Sequence, residues 1–225
     1  MNTPPRSSLG SRWLDPASSL GEIIFGLIMT LTFTLAAGII IDEEGTEGAR
    51  ELLIALIGCN IAWGVIDGAM YLMTELFTRG KRRRVAQAVR SAKDEHGSVG
   101  VLAGELDQYF EGVADGAERE SLYARVAARL RTAEIPPNRL TKADFMGALT
   151  SFWLVVLSSA PAAIPFLIWD DARFALRVSN AILLVFLFFC GFNWARYTLG
   201  NPWAVGFVFL ASGFGLVAMA IALGG

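Results

Sequence analysis

"GCNIAWGVIDGAMYLMTELFTRGKRRR", residues 58–84, decides the class of this chain. Its first part is apolar over the length of a membrane span, its end is a run of Lys and Arg, and Asp67 interrupts the apolar part. A carboxylate at bilayer depth costs roughly 2.5–3.5 kcal/mol on insertion scales. Asp67 must therefore face something other than lipid.

Outward from this stretch, apolar residues fall into blocks of about 20 residues, the length that crosses a bilayer as helix. The blocks are Leu20–Ile41, Leu52–Phe77, Ala148–Trp169, Phe174–Ala195 and Trp203–Leu223. The 225-residue chain is 54% hydrophobic and 18% charged, against about a quarter charged in soluble domains. Lipid offers the backbone no hydrogen-bond partner, so each span must be helical. The expected fold is an all-α polytopic membrane protein, with five transmembrane helices and a small helical cytoplasmic insert between helices 2 and 3. The expected divisions are a cytoplasmic N-terminus (1–19), helices 1–2 (20–79), the insert (80–140) and helices 3–5 (141–225).

Lys and Arg set the orientation. The run at Lys81–Arg84 places the end of span two in the cytoplasm, and Arg6 and Arg12 place the N-terminus there. The acidic "DEEGTEGARE", residues 42–51, is expected to be an outer loop, as is "WDDAR", residues 169–173. Arg139, Lys142 and Arg196 mark inner ends, and the C-terminus falls outside. A bacterial inner membrane or its equivalent fits this layout. The polar start of the chain, followed by a block long enough to span, reads as no separate cleavable signal.

Several function classes lack support. The sequence has no phosphate-cradling glycine loop, nucleophile elbow or paired-histidine zinc motif, so no enzyme is expected. No block suits nucleic acid. Cys59 and Cys190 lie in apolar blocks and read as small buried hydrophobes.

On a helix, Asn60, Gly64, Asp67, Gly68, Tyr71, Thr74 and Glu75 form one stripe. Gly64 and Gly68 make a small-xxx-small surface for close helix approach, so Asp67 is expected at a helix interface. Met70 and Met73 flank it with soft sulfur. On span one, Glu22, Gly26, Met29, Thr30 and Phe33 share a face, and the hydroxyls of Thr30, Thr32 and Thr34 bond in part to their own helix. If the two faces meet, Asp67, Met29 and Met70 surround a cation or a water-filled path. Pro161 and Pro165 free carbonyls and bend span three. Asn180 and Asn193 read as lone polar residues. Gly206, Gly213 and Gly215 read as close packing.

In the insert, Leu102, Leu106, Phe110 and Val113 make an apolar stripe, as do Leu122, Val126 and Leu130. Pro136 and Pro137 stop the second helix. Thr141, with Asp144 three residues on, starts the next. Acidic residues Glu95, Glu105, Asp107, Glu111, Asp115, Glu118 and Glu120 stand beside His96, the single histidine. Gathered by several helices or two subunits, such carboxylates bind hard divalent cations. About 60 residues is marginal for a self-sufficient domain; the insert is expected to lean on itself, on the membrane helices or on a second copy.

This layout resembles the vacuolar iron transporter family. "FGLIMTLTFTLAAGI", Phe25–Ile39, is similar to that family's first span, and "ALTSFWLVVLSSAPAAIPFLI", Ala148–Ile168, to its third. The family places an acid directly before the "GL" of span one. Here Phe25 holds that position, and the nearest acid is Glu22. Asp67 in "VIDGAMY" stands for the family's span-two glutamate, and Met70 or Met73 for its methionine. The resemblance implies a homodimer that exports ferrous iron or manganese from the cytoplasm in exchange for protons, with no permanently bound cofactor. Asp67, Met29, Met70 and Glu22 would then bind the ion in the membrane, and Glu105, Glu111, Glu118 and Glu120 would collect it in the insert. Two other readings stand beside it. One is a non-transporting scaffold or sensor, with the insert as partner-binding or metal-sensing module and the basic run on anionic lipid. The other is a channel for small solutes.

Overall fold

The computed structural model describes residues 14–36 and 38–222, the side chains at 36–49 and 220–221 excepted. The described residues are helical and contain no strand. The helices are α1 (Pro16–Ala36), α2 (Gly38–Ser91), α3 (Glu95–Phe110), α4 (Gly116–Thr132), α5 (Lys142–Ser158), α6 (Ala160–Ile168), α7 (Ala172–Thr198) and α8 (Pro202–Ala222). Five stretches are long and apolar enough to cross a membrane: Pro16–Leu35, Arg50–Ser91, Lys142–Ile168, Ala172–Thr198 and Pro202–Met219. In the apolar window of α8 only 11% is buried within the protein, and Phe207, Val208 and Phe214 point outward. Water would penalise that surface; lipid does not. The chain is thus a membrane-embedded helical protein.

The acidic segment expected as an outer loop falls within α2. Its Glu, Ala and Arg residues are good helix formers. Helix α1 is described to Ala36; residue 37 and the stretch before residue 14, with Arg6 and Arg12, lie outside the described residues. Asp15 caps α1: its Oδ1 accepts from the N–H groups of Ala17 and Ser18, each at 3.0 Å, with Pro16 at the first helical position, where its missing N–H costs nothing. The Ser18 hydroxyl and N–H hold the Asp15 carboxyl below its ordinary value of 3.8. The cap therefore contributes above that value and is lost as pH falls through the lowered one.

The chain divides into two compact units, Met1–Tyr71 with Lys142–Gly225, and Leu72–Thr141. In the first, Leu27 and Leu31 of α1 pack with Ala162 of α6 and with Leu183, Leu184 and Cys190 of α7. Rings tie α7 to α8: Phe188 meets Phe207 at 5.3 Å, and Phe192 meets Trp203 at 5.4 Å. Gly206 and Gly213 of α8 sit against side chains of α7, whereas Gly215 faces open space. The third span breaks at Ser159, between α5 and α6, beside Pro161. Two hydroxyls take carbonyls of the last turn before the break, Ser158 donating to Val155 at 2.6 Å and Ser159 to Val156 at 2.7 Å, and Ser179 of α7 ties α6 by donating to the Ala162 carbonyl at 2.8 Å. Asn180 is not alone: its Oδ1 accepts from the Thr34 hydroxyl at 2.7 Å, because α1 packs directly on α7.

In the second unit, Val89 of α2, Val99 and Leu102 of α3, and Tyr123 and Ala127 of α4 form the core. The α4 stripe is displaced by one residue from Leu122, Val126 and Leu130, which are only partly buried. The Tyr123 ring buries a larger body, and its hydroxyl finds Asp107 at 3.0 Å. Val113 is 81% exposed, since α3 stops at Phe110 and the chain turns at Gly112, φ +79°. Asp115 and Glu118 close a reciprocal capping box at the start of α4.

Leu102→Ala should destabilise this unit by about 2–5 kcal/mol. Amide exchange on the full chain should quicken in α3 and α4 and stay unchanged in α7; uniform quickening would contradict the division into two units.

Candidate functional site

Asp67 lies where α1, α2 and α5 meet. Glycines permit the meeting. A Cβ on Gly68 would stand 3.1 Å from the Ala148 carbonyl oxygen, one on Gly64 3.0 Å from that of Phe152, and one on Gly26 2.9 Å from that of Val155. Backbones at these points are too close for a larger residue, so α5 touches both α1 and α2.

That contact sets the register. Glu22 of α1 comes beside Asp67 of α2, and the Glu22 carboxyl also lies within reach of Ser151 of α5. Asp67 Oδ2 and Ser151 Oγ are buried without a hydrogen bond of good geometry, so these contacts are loose. Two half-buried carboxyl groups side by side repel when both are charged. A proton or a cation between them removes the repulsion.

Polar groups continue along the seam. Asn60 Nδ2 donates to the Leu56 carbonyl at 3.0 Å and reaches the Thr30 hydroxyl at 3.5 Å. Thr30 donates back to Gly26 at 2.7 Å. Thr30, Thr34, Asn60 and Ser151 are all fully buried. Asn60 Oδ1, Asp67 Oδ2 and Ser151 Oγ belong to the buried side-chain atoms without partners among the described residues; the other is Arg119 Nε of the second unit. From Glu22 to Thr30 the seam follows α1 for about 12 Å.

The expected partners of Asp67 are only partly assembled. Glu22 is brought to it. Met29 is half-buried, two turns along α1 from Glu22. Met70 and Met73 are 53% and 60% exposed and turn away from the seam. Phe25, where the vacuolar iron transporters carry an acid, packs edge-on against Trp63 with centroids 5.5 Å apart. Ser151 was not singled out from the sequence. Its signal was present: Gly147, Ala148, Ser151, Val155 and Ser158 recur on one helical face and are all buried.

The acids of the second unit are not gathered. Glu105 pairs with Lys81 at 2.7 Å, and Glu118 serves the capping box. Glu111 and Glu120 are exposed. Among the described residues no group of three or more His, Cys, Asp or Glu side chains is placed to hold a metal ion. No protein-family model matches the chain, and no curated protein gives a significant match. The likeness to vacuolar iron transporters thus rests on the segments quoted above.

Gly68→Leu should push α2 from α5 and cost about 1–3 kcal/mol in detergent-solubilised protein. Gly58→Leu, on an exposed face with nothing within 4 Å, should stay within about 0.5 kcal/mol of the parent. Equal thermal shifts for the two would mean that the α2–α5 contact contributes no stability.

Proposed function

We propose that this chain is a proton-coupled transporter of a divalent metal ion, ferrous iron or manganese, moving it out of the cytoplasm. One observation carries the reading: Glu22 and Asp67, on different helices, come together in a seam of buried polar groups. Two carboxylates match the charge of one divalent cation or of two protons, so exchange of one for the other keeps the site neutral. The Ser151 hydroxyl adds an oxygen. Water, or a second copy in a homodimer, supplies the rest of the six or more oxygen ligands that hard cations such as calcium and magnesium take. The N-terminus and the Leu72–Thr141 unit lie in the cytoplasm in this reading, and the C-terminus outside.

The exposure of Met70 and Met73 and the dispersed acids of the second unit favour one other reading. It is a non-transporting scaffold or sensor, with that unit binding a partner or sensing metal. Flux decides between them. Purified protein in liposomes should move ferrous iron or manganese when a pH gradient is imposed. Glu22→Gln and Asp67→Asn should each lower that flux at least about tenfold, the loss for one charged contact of roughly 1.5–3 kcal/mol. Undiminished flux in Asp67→Asn removes the site. No flux in the parent, together with a metal-dependent thermal shift, selects the sensor.

A further inference from the structure

The second unit contains a cavity of about 470 Å³, within the usual range of small-molecule sites, roughly 300–1,000 Å³. One wall is α2. Arg79, Arg82, Arg83 and Ala86 line it, and their spacing of three, four and seven puts them on one helical face. The other wall is the end of α4 and the strap that follows it, with Leu130, Ala133, Glu134, Ile135, Pro136, Pro137, Arg139 and Thr141 completing the lining.

Two arginines hold the strap on the helix. Arg90 donates from Nε to the Leu130 carbonyl at 3.0 Å and from a terminal nitrogen to the Ala133 carbonyl. Arg79 donates to the Arg139 carbonyl at 2.8 Å and pairs with Glu75 at 3.3 Å. These clamps are eleven positions apart on α2, about 16 Å. Between them the strap is rich in proline, which donates no N–H, and it presents an apolar surface to the helix. The cavity is therefore built from both sides.

Its charge is one-sided. Arg82, Arg83 and Arg139 have no acid within ion-pair distance among the described residues, and Glu134 is the one acid in the lining. Like charges three and four apart on a helix destabilise it. Guanidinium groups are the side chains that bind phosphate by paired, planar hydrogen bonds. Ala86, Leu130, Ile135 and Pro136 offer nothing to a hydrated ion but suit a hydrocarbon or ring.

We propose that this cavity binds a phosphate monoester carrying an apolar group, the phosphate on Arg82, Arg83 and Arg139 and the apolar group on Leu130, Ile135 and Pro136. Such a ligand comes from an anionic phospholipid or from a soluble phosphorylated compound. The run follows an apolar span in the sequence, the position at which basic clusters meet anionic lipid.

Native mass spectrometry of the full chain in mild detergent tests this. The probes are dioctanoyl phosphatidic acid, phenyl phosphate, dioctanoyl phosphatidylcholine and inorganic phosphate. Phosphatidic acid or phenyl phosphate should saturate at one per chain, and the tighter of the two identifies the source. The double variant Arg82→Ala/Arg83→Ala should weaken that binding at least about tenfold, as expected for losing two charge-assisted contacts. The double variant Lys81→Ala/Arg84→Ala removes the same formal charge from the same run outside the cavity and should leave binding within about threefold. Equal losses in the two variants would reduce the effect to diffuse electrostatics and overturn the proposal. Inorganic phosphate or phosphatidylcholine binding as tightly as the phosphate esters would overturn it as well.

Discussion

The polar seam between α1, α2 and α5 depends on backbones coming close at Gly26, Gly64 and Gly68. A carboxyl group on an apolar helix must be turned away from lipid, and turning it inward helps only where another helix is near. Small residues create that nearness. Once α5 seats on α1 and α2, the positions of Glu22, Asp67 and Ser151 follow from helix geometry alone. Substituting one glycine would displace all three polar groups together.

The two units solve opposite problems. In the membrane unit, few polar groups must find each other among apolar residues. In the second unit, many charges surround a small core of Val89, Val99, Leu102, Tyr123 and Ala127. There the charges work locally. Arg119 and Tyr123 share Asp107, Asp115 and Glu118 cap α4, and Lys81 holds Glu105. Acids that look plentiful along the sequence are largely occupied, so their number says little about metal binding.

The helical class and the apolar spans were legible because hydrophobic length in a bilayer admits few structures. The inward turn of Asp67 was legible from the Gly64–Gly68 spacing, and the break in span three from Pro161. Contacts between helices distant in sequence were harder. Asn180 read as alone because nothing local points to Thr34, 146 positions earlier. Ser151 was passed over because serine in a span commonly bonds its own helix, as Ser158 does here. Met70 and Met73 stand three and six residues from Asp67, which at about 100° per residue leaves them roughly 60° and 120° round the helix from it, and both fall outside the contact with α1 and α5. The α4 stripe sits one position along because the Tyr123 ring fills the core while its hydroxyl reaches the half-exposed Asp107.

Aromatic packing between α7 and α8 has a mechanical meaning. Phe188, Phe192, Trp203 and Phe207 form a continuous cluster of edge-to-face and tilted rings. The α1–α2–α5 seam has glycines, loose polar contacts and atoms lacking partners. Parting α7 from α8 would forfeit dense packing, whereas loosening the seam would let water satisfy groups that the protein leaves wanting. The stiffness of the membrane unit is therefore uneven. The side that carries the acids is the one with the least packing to lose on opening.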